Sequence, residues 1–178
     1  TPIRDTATGV ASAFTTNTAT NSGGYTTVTV TDAGHGAQTG DFVCIVPLNT
    51  TLNGTITNSA TSITLTSATG FPSTGSIFIE SECITYTGIS TNTLTGCTRG
   101  TNGTTAAAHT TGVNVYAAPN GVLVFGEYQI TYISSSTYSI TVLGTATSSS
   151  TPAVSANFYY QLTVGSDVYT TSVGWRSE

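Results

Sequence analysis

Asp32, His35 and Asp41 lie close together in the run TDAGHGAQTGD. Side chains of these types can hold a metal ion or trade a proton. Their setting points elsewhere. His35 stands between Gly34 and Gly36, and Asp41 follows Gly40. An aspartate so placed accepts hydrogen bonds from the backbone amides of a turn. The run therefore reads as a Gly-rich turn with a structural His and Asp.

A second set of reactive types sits in the middle of the chain: Glu80, Glu82, Cys83, Cys97, Arg99 and His109. His109 with Cys83 or Cys97 would suit nucleophilic catalysis. However, no Asn or Asp stands where it would orient the imidazole, and the run AAAHTTG reads as a loop in which His109 makes a turn contact. Glu80 and Glu82 are two apart, so strand alternation puts both on one face. They cannot flank a glycosidic bond as opposed catalysts do, and they read as a solvated edge feature that discourages stray pairing. A calcium site would need more oxygens than the sequence supplies. Arg99, in the Gly-rich loop CTRGTNG, can pair with Glu80 or Glu82 or can anchor a subunit contact. Cys44, Cys83 and Cys97 lack the spacing of a zinc site. They read as buried small hydrophobes, with a Cys83–Cys97 disulfide as the other arrangement. No phosphate-binding loop is present, since GxxxxGK needs a lysine. Asn53-Gly-Thr and Asn102-Gly-Thr match the glycosylation triplet, which recurs by chance in a Thr-rich chain. The sequence thus offers no catalytic, cofactor or metal set, and we expect no enzyme.

The composition says what must position these residues. The chain has 178 residues, of which 6 % are charged. A globular protein averages about 25 %. The only basic residues are Arg4, Arg99 and Arg176, against eight acids, for a net charge of −5. Three scattered arginines make no basic stripe, so nucleic acid is not an expected partner. No apolar run reaches the roughly 18 residues of a membrane-spanning helix. Thr and Ser supply roughly a third of the chain, far above ordinary usage. Thr, Val, Ile, Tyr and Phe favour strands, and the helix formers Lys and Met are missing. The chain starts at Thr1, which reads as a processed product or a fragment of a longer protein.

Period-2 alternation confirms the bias. TTVTVT (26–31) is a strand with one buried face. Further runs are DFVCIV (41–46), SITLT (62–66), SIFIE (76–80), CITYT (83–87), GVNVY (112–116), EYQITYI (127–133), TYSITVL (137–143) and FYYQLTV (158–164). The links at 90–92 and 134–136 are too short for parallel crossovers, so pairing must be antiparallel. The expected fold is all-β, with two nested antiparallel sandwich-like or barrel-like modules and extended terminal segments. Residues 24–48 and 119–150 form the outer module and residues 50–118 an inserted one. Residues 1–23 are an arm or linker, and 151–178 a terminal strand and tail.

The residues also carry a resemblance. VTVTDAGHGAQTGDFVCI (28–45) and GEYQITYISSSTYSITV (126–142) resemble a β-module of tailed-bacteriophage virion proteins. That module is similar to the first catalytic-cysteine half-domain of ubiquitin-activating enzymes. TPIRDTATG and YQLTVGSDVYTTSVGW resemble its flanks in large tail proteins. The stretch 64–112, with FPSTG, ITYTG and LTGCTRGTNGTTAAAH, resembles a second repeat of phage and bacterial surface proteins. In that family the first module is usually uninterrupted; here another splits it. The resemblance implies a virion structural role, most simply in the tail, and no ubiquitin chemistry.

Aromatic residues crowd the last third. Tyr128, Phe158, Tyr159, Tyr160, Tyr169 and Trp175, with Arg99, are the candidate interface residues, because such side chains anchor protein contacts. The expected partners are copies of the chain and neighbouring virion proteins, in an extracellular particle. A receptor- or carbohydrate-binding module that meets host glycan, or a capsid decoration protein, is the alternative reading.

Overall fold

The computed structural model describes residues 23–31, 33 and 35–145, together with strand positions at 9–10, 13–16, 156–161, 163–164 and 167–168. The described residues are all-β, in several antiparallel sheets.

The strands that lie outside the central stretch are β1 (Gly9–Val10), β2 (Ala13–Thr16), β3 (Tyr25–Thr31) and β4 (Phe42–Pro47), then β13 (Gly126–Gln129), β14 (Thr131–Ser134), β15 (Thr137–Leu143), β16 (Ala156–Gln161), β17 (Thr163–Val164) and β18 (Asp167–Val168). They make two four-stranded sheets, ordered β1-β16-β4-β13 and β14-β15-β3-β2, and a small β17-β18 pair. Alternation sets the register of the second sheet. Val28 and Val30 of β3 are buried, and so are Tyr138, Ile140 and Val142 of β15. Tyr138 lies opposite Val30, and Ile140 opposite Val28. The intervening threonines face outward, where a hydroxyl keeps strand propensity without adding charge. Slipping either strand by one residue would turn this whole apolar row to solvent.

The central stretch holds β5 (Asn49–Thr51), β6 (Ser62–Thr64), β7 (Gly75–Ile79), β8 (Glu82–Tyr86), β9 (Gly88–Ser90), β10 (Thr93–Thr95), β11 (Thr98–Thr101) and β12 (Asn114–Ala117). These pair only among themselves, as β11-β8-β7-β12-β5 and β6-β10-β9. Their core is Leu52, Ile63, Leu65, Ile77, Ile79, Ile84, Leu94 and Val115, each at most 1 % exposed. A 3-10 turn at Pro119–Gly121 leads the chain back to β13. There the Asn102 side chain donates to the Gly121 carbonyl at 2.6 Å, tying the two sets of sheets together.

Two elements depart from the sequence reading. The run EYQITYI is two strands in different sheets, because Ile130 breaks it. Ile130 is buried, its amide donates to the Asp41 carbonyl at 2.7 Å, and its carbonyl accepts from the Gly40 amide at 3.0 Å. Those bonds bend the chain from one sheet to the next. The arm expected over residues 1–23 supplies β1 and β2, which pair with β16 and β3.

Candidate functional site

Glu82 is the centre of a buried ionic network. It opens β8, directly after the two-residue link Glu80-Ser81. Opposite β8, β11 carries a bulge: Thr98 faces Thr85 and Thr101 faces Cys83, so one extra residue is taken up between them. A bulge re-aims the groups it contains. Here it turns Arg99 and the Gly100 amide onto Glu82. Arg99 Nε donates to Glu82 Oε1 at 2.8 Å and Nη2 to Oε2 at 2.7 Å, a two-pronged ion pair with side chains 6 % and 1 % exposed. The Gly100 amide adds a bond to Oε1 at 2.9 Å, and the Ala107 amide one to Oε2 at 3.1 Å.

The loop that brings Ala107 in needs Gly100. Its φ is +59°, and a Cβ there would stand 2.7 Å from the Ala106 amide nitrogen. The same loop carries His109. The His109 amide donates to the Ile56 carbonyl at 3.1 Å, and its carbonyl accepts from the Ile56 amide at 2.9 Å. Arg99 also donates to the carbonyls of Thr57 and Ala107. The His109 ring lies between two carboxylates. Nε2 is 2.7 Å from Glu82 Oε2, and Nδ1 is 2.8 Å from Glu80 Oε2.

Burial alone would push the Glu82 carboxyl up. The bonds from Arg99, Ala107, His109 and Gly100 outweigh it and hold the group down at about 2, against an ordinary 4.5. The network is thus a charge-paired clasp. It joins the β7–β8 turn, β11, the 104–109 loop and residues 56–57. Its members turn inward on one another. Among the described residues, no group of three or more His, Cys, Asp or Glu side chains is placed to hold a metal ion.

The structure corrects several expectations. Glu80 and Glu82 do not share a strand face, because the chain reverses between them. Glu80 sits in the link with φ +53°, its side chain 61 % exposed, while Glu82 is buried. Only Glu80 is a solvated edge feature. His109 makes more than a turn contact, since both ring nitrogens are engaged. Of the two arrangements open to Arg99, the structure shows the ion pair with Glu82. Cys83 and Cys97 are free buried thiols rather than a disulfide, and burial pushes both thiols up. Neither faces a free imidazole nitrogen.

From His35 to Asp41 the Gly-rich run is a structural turn, as its sequence suggests, while Asp32 lies outside the described residues. Asp41 Oδ2 accepts from the Gln38 amide at 2.7 Å. The Ala37 amide donates to His35 Nδ1 at 3.1 Å, which leaves Nε2 as the donor to the Ser134 carbonyl at 2.8 Å. The Tyr132 amide donates to Thr39 Oγ1 at 2.9 Å. The turn therefore occupies backbone groups on the edge of β14, which would otherwise invite another strand.

Where the two sets of sheets meet, a groove of about 460 Å³ opens, lined by residues including Phe78, Asn102, Leu123, Phe125, Tyr128 and Leu143. None of its lining residues is charged. Leu143 is 72 % exposed and Phe125 49 % exposed. The Phe125 ring stacks on Tyr116 at 5.3 Å and 22°. Tyr128, a predicted interface residue, lines this groove, and its hydroxyl donates to the Phe125 carbonyl at 3.1 Å. Phe158, Tyr159 and Tyr160 are placed by backbone only, in β16 between β1 and β4. Tyr169 and Trp175 lie outside the described residues. Sequence reasoning missed Phe125 and Leu143. The one signal for Leu143 was its outward parity at the end of TYSITVL.

No protein-family model, no curated protein and no solved structure matches this chain. Among the described residues, no helix is long and apolar enough to cross a membrane.

Proposed function

We propose that this chain is a structural component of a bacteriophage virion, a tail protein or a domain of one, and that it acts by packing against copies of itself and neighbouring virion proteins. The observation that carries this reading is the groove between the two sets of sheets. It is uncharged, lined mostly by apolar side chains with Asn102, Thr104 and Thr145 among them, and rimmed by Phe125 and Leu143, in a chain with only 6 % charged residues. Exposed apolar patches of this kind mark contact sites. A surface so poor in charge lets copies approach without mutual repulsion. The resemblance of 28–45 and 126–142 to a tailed-phage module supplies the setting, an extracellular particle. The ionic clasp and the edge-sealing turn are then the internal supports of a subunit, and no residue is assigned to catalysis.

The test is the assembly state. Light scattering and negative-stain electron microscopy across a concentration series should show a closed ring or an ordered array. A monomer at every concentration overturns the proposal.

One observation favours a second reading, a carbohydrate-binding module. Phe125 offers a ring face beside Asn102 and Thr104 in the same groove. Sugar rings stack on such faces. Saturable binding of a neutral glycan by a monomer would establish this reading over the first.

A further inference from the structure

The geometry points to His109 as a doubly protonated cross-link between Glu80 and Glu82, a latch that lets go of Glu80 when the ring loses a proton. A count of donors decides the charge on the ring. A carboxylate oxygen only accepts. Both ring nitrogens of His109 stand at hydrogen-bond distance from such oxygens, 2.8 Å at Nδ1 and 2.7 Å at Nε2. A neutral imidazole has one N–H and can satisfy one of them. The imidazolium satisfies both. Glu82 cannot supply the missing proton, because its neighbours Arg99, Gly100 and Ala107 are all donors to it. With the ring charged, two cations and two carboxylates close the cluster.

The groups facing the ring are few. The β7–β8 link offers Glu80, β8 offers Glu82, and β11 offers Arg99 behind Glu82. Residues 56–57 offer backbone only, through Ile56 against His109 and Thr57 against Arg99. No other titratable side chain bonds to the ring among the described residues.

The two ends of the cross-link differ. Glu82 is 1 % exposed and is held by four further bonds, so it stays. Glu80 is 61 % exposed at the side chain and can swing into water. Glu80 also stands at φ +53°, in the left-handed region that an L-residue enters only at a cost. A glycine would be the easy choice there. The bond to His109 offsets that cost and holds the tip of the β7–β8 hairpin against the 104–109 loop. When Nδ1 loses its proton, its lone pair faces the Glu80 carboxylate. Two acceptors then oppose each other, and Glu80 leaves. The latch is closed at lower pH and opens as the pH rises. It does not depend on the virion reading.

The test reads the ring nitrogens by two-bond ¹H–¹⁵N correlation on the labelled full chain, in a series from about pH 5 to about pH 8. His109 should carry protons on both nitrogens at the acid end. The Glu80 backbone amide should move with the same midpoint. Glu80→Gln should lower that midpoint, because the ring loses the carboxylate that faces Nδ1. Glu80→Gly, which relieves the φ strain, supplies a second reading should the first variant fold poorly. The wild type should gain stability relative to Glu80→Gly as the pH falls and lose it as the pH rises. A single neutral tautomer of His109 at the acid end overturns the latch. So does a midpoint that Glu80→Gln leaves in place, or a wild-type advantage over Glu80→Gly that does not change with pH.

Discussion

Arg99 grips Glu82 with both prongs of its guanidinium, at 2.8 and 2.7 Å, across 17 residues of sequence and with both side chains almost wholly out of water. A buried pair of this kind contributes little compared with a well-packed apolar pair. Its weight shows when one member is removed, because the other is then stranded. Arg99→Met should therefore destabilise the protein by about 3–5 kcal/mol. The double variant Arg99→Met with Glu82→Gln should cost less than the sum of the single changes. Urea denaturation of the four species gives the coupling. Additive costs would mean that the two side chains do not act as a pair.

The same carboxylate sets an acid limit. Glu82 is held at about 2 in the folded chain against an ordinary 4.5. A carboxyl lowered on folding adds stability that is full above its ordinary value and drains away as the pH falls toward the folded one. The contribution at neutral pH is on the order of 3 kcal/mol. Wild type should thus lose about that much more stability than Glu82→Gln between about pH 6 and about pH 2. Denaturant midpoints at stepped pH measure it, and parallel curves for the two proteins would rule it out.

Most of the fold is legible in the sequence because one rule governs it. Alternation of Val, Ile and Tyr with Thr marks β3 and β15 almost to the residue. It fails where the backbone leaves the strand without a change in composition. EYQITYI alternates from Glu127 to Tyr132, yet Ile130 turns between sheets because Gly40 and Asp41 bond its backbone. The rule also fails at Glu80-Ser81-Glu82, where a two-residue link reverses the chain and separates two acids that share a parity. The clasp was half visible: Arg99, in a Gly-rich loop, could pair with Glu80 or Glu82, whereas His109 read only as a turn contact. What the sequence could not supply was burial, which depends on a bulge at Arg99-Gly100 and on a loop packed against a bare glycine.

Gly100 carries that last dependence. At φ +59°, with the Ala106 nitrogen 2.7 Å from where a Cβ would be, an alanine must displace the backbone that carries Ala107 and His109. Gly100→Ala should cost about 1–3 kcal/mol. It should also weaken hydrogen-exchange protection of the Ala107 amide, which the Glu82 carboxylate otherwise holds. Gly103→Ala is a fair comparison. Gly103 is also in the left-handed region, φ +77°, but a Cβ there would meet nothing within 4 Å. It should show the backbone cost without the loss of protection at Ala107. Equal behaviour of the two variants would remove the case for packing at Gly100.

The seal on β14 predicts a change in association rather than in activity. His35 and Thr39 occupy the Ser134 carbonyl and the Tyr132 amide, beside the exposed side chains of Tyr132 and Ile133. His35→Ala with Thr39→Val frees both backbone groups. The unfolding cost should be about 1–3 kcal/mol. The larger effect should be irregular self-association through the opened edge, seen as a rise in light scattering with time. A double variant that scatters no more than wild type would show that the turn does not guard this edge.

The groove predicts the opposite outcome, a loss of ordered assembly with the fold intact. Leu143 is 72 % exposed and contributes little to the subunit's own core. An exposed substitution away from special features changes stability by no more than about 0.5 kcal/mol. Leu143→Asp should therefore leave the denaturation midpoint nearly unchanged while placing a charge in a patch that has none. If the groove packs against a neighbouring subunit, the charge must be desolvated there without a partner, and assembly should fall by at least about tenfold in critical concentration. Phe125→Ser should act in the same direction by removing the ring that stacks on Tyr116. Full assembly by both variants would separate the groove from the contact surface and leave Phe125 as a candidate for binding sugar.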